Sequence, residues 1–137
     1  IPMRAFKQLL SVLLCLVLFA GCGGKSGPAE QLARDLGDRG FSVSVTRDVS
    51  PAEMGPALGD SRIDLLKLDG EPRMAVYVFS TAEERDQGVA DWEGYAALAL
   101  FAEDGLPHLF TEDTCLLIYY GVDEDLLAAL SELWQPV

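Results

Sequence analysis

The feature that most constrains this chain is the run at residues 9–20, LLSVLLCLVLFA, in which Ser11 is the only polar side chain. A helix that crosses a bilayer needs about 20 apolar residues, and this run falls short of that. It matches instead the apolar region of a secretory leader, roughly 7–15 residues long. Arg4 and Lys7 supply the positive flank before it, and the small residues Ala20 and Gly21 follow. This grammar predicts a signal peptide over residues 1–21, so a folded domain must be built from residues 28–137. A buried core helix is the competing reading, but no polar residues mark out a solvent face within the run.

The junction itself reads Leu18-Phe19-Ala20-Gly21-Cys22. It resembles a lipobox, the recognition site of bacterial lipoprotein signal peptidase, with Phe19 where leucine is usual. The resemblance implies cleavage between Gly21 and Cys22 and acylation of Cys22. The mature chain would then sit in the cell envelope, anchored to the lipid bilayer on the extracytoplasmic side. In an envelope with two membranes, Gly23 in place of aspartate implies the periplasmic face of the outer membrane. Each buried methylene contributes about 0.8 kcal/mol, so two acyl chains hold where one is marginal. Gly23, Gly24, Ser26 and Gly27 make residues 22–27 a flexible tether. A soluble, cleaved secretory protein is the alternative. Gly24-Lys25-Ser26 has the look of the end of a phosphate-binding loop, but the first glycine of that motif would fall at Phe19.

Loss of the leader removes two basic residues and no acidic ones, which takes the net charge from −12 to −14. A surface of that sign repels phosphate backbones and anionic head groups, which argues against nucleic acid as a partner. Of the three cysteines, Cys15 lies in the leader and Cys22 at the junction. Cys115 alone remains for the domain, so no internal disulfide framework is expected. Its place in the apolar run CLLIYY predicts a buried, inert thiol.

Residues 28–38 predict a first helix: Pro28 suits the first position, Leu32 and Leu36 share a face, and Gly40 closes the end. Residues 41–46 alternate, with Phe41, Val43 and Val45 on one side, as a half-buried strand does. A long loop follows over 48–60, with one helical turn at 52–58. Residues 63–68 and 73–79 flank Asp69-Gly70, a turn dipeptide that accepts positive φ, and form a hairpin. Ser80-Thr81-Ala82-Glu83 reads as a capping box opening a helix whose stripe is Val89, Trp92 and Ala96 and which ends near Leu100. Gly88 and Gly94 weaken that helix. A second hairpin joins 108–110 to 115–120 across residues 111–114. Asp123, Glu124 and Asp125 then open a last helix with Leu126, Leu127, Leu130, Leu133 and Trp134 on its apolar face. The order α-β-β-β-α-β-β-α predicts a two-layer α+β domain, with helices on a mostly antiparallel sheet of about five strands.

The segments MAVYVFSTAEE, PHLF and CLLIYYGVDEDLLAALSEL resemble a group of small bacterial envelope lipoproteins. These end in a Pro-His-Phe-aromatic strand, an apolar strand, then Gly-Asp-Asp and a Leu-rich helix. Pro107, His108, Leu109 and Phe110 match the first element, with Leu109 in place of an aromatic residue, and Gly121 and Asp123 match the third. The resemblance covers roughly the C-terminal half and carries no established activity.

His108 is the only histidine, and the only side chain whose ordinary pKa lies near neutrality. It has no second histidine and no metal-ligand spacing around it, so a strand residue is the plainer reading than a base or ligand. The acidic pairs and the triplet at 123–125 fail the pattern of a calcium loop, since Leu127 falls where a ligand is required. No nucleophile elbow, zinc-protease helix or dinucleotide glycine pattern occurs. Trp92, Trp134, Tyr95, Tyr119 and Tyr120 are candidates for a groove, and Tyr119 and Tyr120 must face opposite sides of their strand. His108, Tyr119 and Tyr120 are therefore the candidate binding surface, with no catalytic residue, metal ligand or cofactor assigned. The expected role is a non-catalytic envelope lipoprotein that binds a protein or another envelope component. The alternative is a small-molecule or metal binding accessory to a transporter or sensor.

Overall fold

The computed structural model describes residues 27–137. The leader, the Gly21–Cys22 junction and most of the expected tether lie outside the described residues. The elements run α1 (Pro28–Asp38), β1 (Val43–Thr46), a 3-10 turn (Pro51–Glu53), β2 (Arg62–Leu68), β3 (Glu71–Val78), α2 (Ala82–Ala96), a second 3-10 turn (Glu103–Gly105), β4 (Pro107–Glu112), β5 (Cys115–Tyr120), α3 (Glu124–Leu133) and β6 (Gln135–Pro136). The strands form one antiparallel sheet in the order β1-β2-β3-β5-β4-β6. The α+β class, the antiparallel sheet and the order of the eight expected elements all stand, and the short β6 adds a sixth strand.

Residues of β3 and β5 explain how the layers stack. Met74, Ala75, Val76 and Tyr77 are all buried, as are Leu116, Leu117, Ile118 and Tyr119. Successive side chains of a strand point to opposite faces, so both faces of the sheet must be covered. On one face Leu66, Met74, Val76, Leu117 and Tyr119 pack with Leu32 and Leu36 of α1 and Leu126 and Leu130 of α3. On the other, Leu65, Ala75, Tyr77, Leu116 and Ile118 pack with Trp92 of α2, Phe79 and the loop residue Leu58. Helix α2 thus supplies a layer beyond the two expected.

Local chemistry sets the element boundaries. Asp69 and Gly70 both take positive φ, 52° and 83°, which closes the β2–β3 hairpin in two residues. The second hairpin is tighter than the sequence suggested: Glu112 pairs with Cys115, leaving Asp113, at φ 50°, and Thr114 as its turn. The cap of α2 is shifted by one residue from the expected one. Thr81 Oγ1 accepts from the Glu84 amide at 3.1 Å, while Glu84 Oε2 accepts from the Ser80 amide at 3.3 Å. Helix α2 also stops at Ala96, short of Leu100. Gly88 has a role besides weakening the helix, because the Phe79 ring packs where its side chain would begin.

At the start of α3, Asp123 Oδ1 accepts from the amides of Asp125 (3.0 Å) and Leu126 (3.1 Å). Removing that cap in Asp123→Ala is expected to cost about 1 kcal/mol, seen as a lower urea midpoint at unchanged slope. Asp64, buried on the α1 side, is held by Arg47 at 3.0 Å and Arg62 at 3.3 Å. Gly27 lies against the same Arg62, so the domain's first described residue sits at the Arg62–Val78 end of the sheet.

Candidate binding surface

The structure separates the three residues of the candidate surface. His108 pairs across the strands with Tyr119, and their rings stack at 6.1 Å and 27°. Tyr119 is buried under α3, its hydroxyl accepting from the Asp123 amide at 3.2 Å. His108 borders an open groove of about 500 Å³ between β4, β6 and α3, lined also by Leu127, Ser131 and Pro136. Its Nε2 is buried without a hydrogen-bond partner among the described residues. Tyr120 lies on the opposite face, as the strand alternation requires, and joins a different set of residues.

That set is aromatic. Trp92 meets Tyr95 at 6.2 Å, Phe101 at 6.1 Å and Tyr120 at 6.5 Å between ring centroids, and Phe101 meets Tyr120 at 6.2 Å. Offset and tilted pairs at such separations are favourable beyond the area they bury. The helix α2 brings Trp92 and Tyr95, the end of β5 brings Tyr120, and the chain leaving α2 returns with Phe101. The polar tips of Trp92 and Tyr120, with that of Tyr77, gather at Gly55. A side chain on Gly55 would begin 3.1 Å from the Tyr120 hydroxyl, 3.4 Å from that of Tyr77 and 3.9 Å from Trp92 Nε1. Gly55 also holds φ at +145°, where other residues are strained.

Tyr77 donates its hydroxyl to the Pro56 carbonyl at 2.9 Å. Burial is the main reason its pKa rises, and the neighbouring Tyr120 and Tyr95 add to it. Burial likewise pushes Tyr120 up to about 12, against the opposing pull of the Trp92 indole N–H and with a smaller push from Tyr95. No hydrogen bond joins the indole and the phenol: Trp92 Nε1 and Tyr120 Oη are both buried without a partner among the described residues. Such groups carry a desolvation cost in the free protein.

A phenol whose pKa is raised on folding stabilises the fold fully below its ordinary value of 10.0 and loses that contribution as pH climbs through about 12. Stability is therefore expected to fall with pH above about 10. Urea midpoints measured across that range should decline less steeply in Tyr120→Phe than in the parent; an identical slope would contradict the assignment.

The aromatic cluster forms one wall of a cleft of about 270 Å³, bordered by Glu53, Gly55, Pro72, Tyr95, Phe101 and Tyr120. Beside it the chain after α2 is turned outward. Leu98 and Leu100 are 91% and 101% exposed, and Tyr95 and Leu106 are exposed as well. Isolated exposed leucines are ordinary on proteins, but Leu100 and Tyr95 border this cleft and Leu98 lies two residues away, which makes it a candidate contact surface. From the sequence Trp92, Tyr95 and Tyr120 were visible as groove candidates. Phe101, Tyr77 and Gly55 were not. The signal that could have found Phe101 is the apolar run ALALF at residues 97–101, just past the helix stripe.

Other features offer less. The thiol of Cys115 is buried, and burial is the main cause of its raised pKa, as an inert cysteine requires. A hollow of about 210 Å³ beside Phe79 is ringed by Asp60, Glu84 and Asp91, of which Glu84 serves the cap and Asp91 accepts from Gln87. Among the described residues no three His, Cys, Asp or Glu side chains gather as metal ligands, and no helix is long and apolar enough to cross a membrane. Comparison with known proteins gives no match: no family model, no curated protein and no solved structure is similar to this chain.

Proposed function

We propose that this protein is an envelope lipoprotein, held to the bilayer through an acylated Cys22, whose folded domain has no catalytic role and binds another protein. The leader grammar at residues 1–22 supports the anchor. The observation that carries the binding role is the outward-facing Leu98 and Leu100 beside the aromatic cleft. Exposed leucines at the lip of an aromatic wall contribute to binding once a partner covers them and removes their apolar surface from water.

The arrangement of the sheet suits this role. Gly27 sits at the Arg62 end of β2, whereas the cleft is bordered by Pro72 at the start of β3 and Tyr120 at the end of β5. Between residues 72 and 78 a strand advances roughly 20 Å, at about 3.4 Å per residue. A chain tethered through residues 22–27 would therefore carry its contact surface on the end far from the lipid.

Two experiments test the halves separately. Cys22→Ser should release the protein from the membrane fraction; retention in the membrane would contradict the anchor. In crosslinking on the intact envelope, a partner should be enriched with the parent and lost with Leu98→Ser/Leu100→Ser. That partner, once purified, should bind the purified domain. Equal capture by the parent and the double variant would remove the surface from consideration. The second reading, a small-molecule binding protein, draws on the open groove beside His108. It predicts a ligand-dependent rise in melting temperature that His108→Ala abolishes.

A further inference from the structure

We propose that the segment received by the Tyr95–Leu98–Leu100–Phe101 surface is basic: an apolar stretch of a protein interleaved with lysine or arginine. This rests on the reading of that surface as a protein-binding site. Residues 81–106 carry seven acidic side chains and a single basic one, Arg85. Arg85 belongs to the opposite end of α2, where it pairs with Asp86 at 2.9 Å and donates to the Asp113 carbonyl. Near the surface stand Glu53 on the cleft and Glu103 and Asp104 just after Phe101, all three exposed. None forms an ion pair with a lysine or arginine among the described residues.

Some acids of this domain do find basic partners: Glu30 and Asp64 share Arg47, Glu132 meets Arg39, and Glu71 meets Arg73. The carboxylates beside the exposed leucines are not among them. Charge of one sign around an apolar centre selects a partner of the opposite sign and speeds its approach, while like-charged competitors are repelled. A lipid phosphate or a nucleic-acid backbone is disfavoured by the same charges.

The test uses two short fluorescein-labelled peptides, one alternating leucine with lysine and its twin alternating leucine with glutamate, titrated with the folded protein at physiological salt. The lysine peptide is expected to bind at least about tenfold more tightly than its twin, a difference that added salt erodes. Leu98→Ser/Leu100→Ser and, separately, Glu53→Lys/Glu103→Lys/Asp104→Lys should each weaken it by about tenfold or more. Asp35→Lys/Asp38→Lys on α1 should change it less than about twofold. Equal weakening by the α1 variant would show attraction to overall charge alone and would overturn the proposal. Tighter binding of the glutamate twin, lost in Leu98→Ser/Leu100→Ser, would overturn the basic partner while leaving the surface as a binding site. If neither peptide binds while the crosslinked partner is still lost with Leu98→Ser/Leu100→Ser, the basic partner is likewise excluded.

Discussion

Gly121→Ala is expected to destabilise the domain by about 3 kcal/mol, lowering its melting temperature by roughly 10 °C or more. The methyl group would begin 2.2 Å from the Tyr119 hydroxyl and 2.4 Å from Cζ of the same ring. That ring has little room to retreat: Tyr119 is 2% exposed, stacked on His108 and packed into the core shared with α3. Displacing it also breaks the bond from the Asp123 amide to its hydroxyl, worth about 1 kcal/mol, at the residue that caps α3. Tyr119→Phe serves as the comparison, since it removes only the hydroxyl and should cost about 1 kcal/mol. Urea denaturation of both variants checks the claim. A Gly121→Ala protein as stable as the parent would show that Tyr119 yields freely, and the close packing argued above would be wrong.

Leu117→Ala should cost a comparable amount, about 2–5 kcal/mol. Leu117 has no exposed surface and sits in β5 between Val76 of β3 and Phe110 of β4. Above it lies the core built with α1 and α3. Neighbours on three sides limit collapse into the space left behind, which places the effect toward the upper part of that range. Leu98→Ala removes the same atoms from a site 91% exposed and should change stability by less than about 0.5 kcal/mol. The pair separates leucines that hold the fold from those argued to meet a partner. Equilibrium unfolding of Leu117→Ala with a loss under about 1 kcal/mol would contradict the packing described.

The strands and helices were legible because each carries its own local chemistry. Alternation in residues 41–46, the Asp69-Gly70 turn and the acids before Leu126 each specify an element without help from distant residues. The layer count was harder to read, and the reason lies in two runs. MAVYVF and CLLIYY are apolar at consecutive positions, which is how a strand buried on both faces looks. That signal calls for helices on both sides, yet which helix takes which side depends on long-range packing. The one-residue shift of the α2 cap arose because Ser80 and Thr81 are both good caps and both stand three residues before a glutamate. At the binding surface the rings on regular elements were visible as candidates, while Phe101 and Gly55 lie on irregular chain. Only the fold brings Gly55 within reach of three aromatic tips. His108 and Tyr119 stack on one face and Tyr120 lies on the other, as the alternation expected for residues 119 and 120 requires.

Both margins of the sheet are short. At one side stands β1, four residues long, and at the other β6, two residues of which one is Pro136. A strand margin with free amides and carbonyls is a template on which a second molecule can zip. Here the template is cut down at both sides, and proline withholds an amide at one of them. This geometry resists strand-to-strand polymerisation, a protection that would matter most if the proposed anchor crowds copies onto one membrane. Loss of the Gln135–Pro136 pair would uncover Phe110 and Thr111 of β4 and lengthen the margin open to self-association.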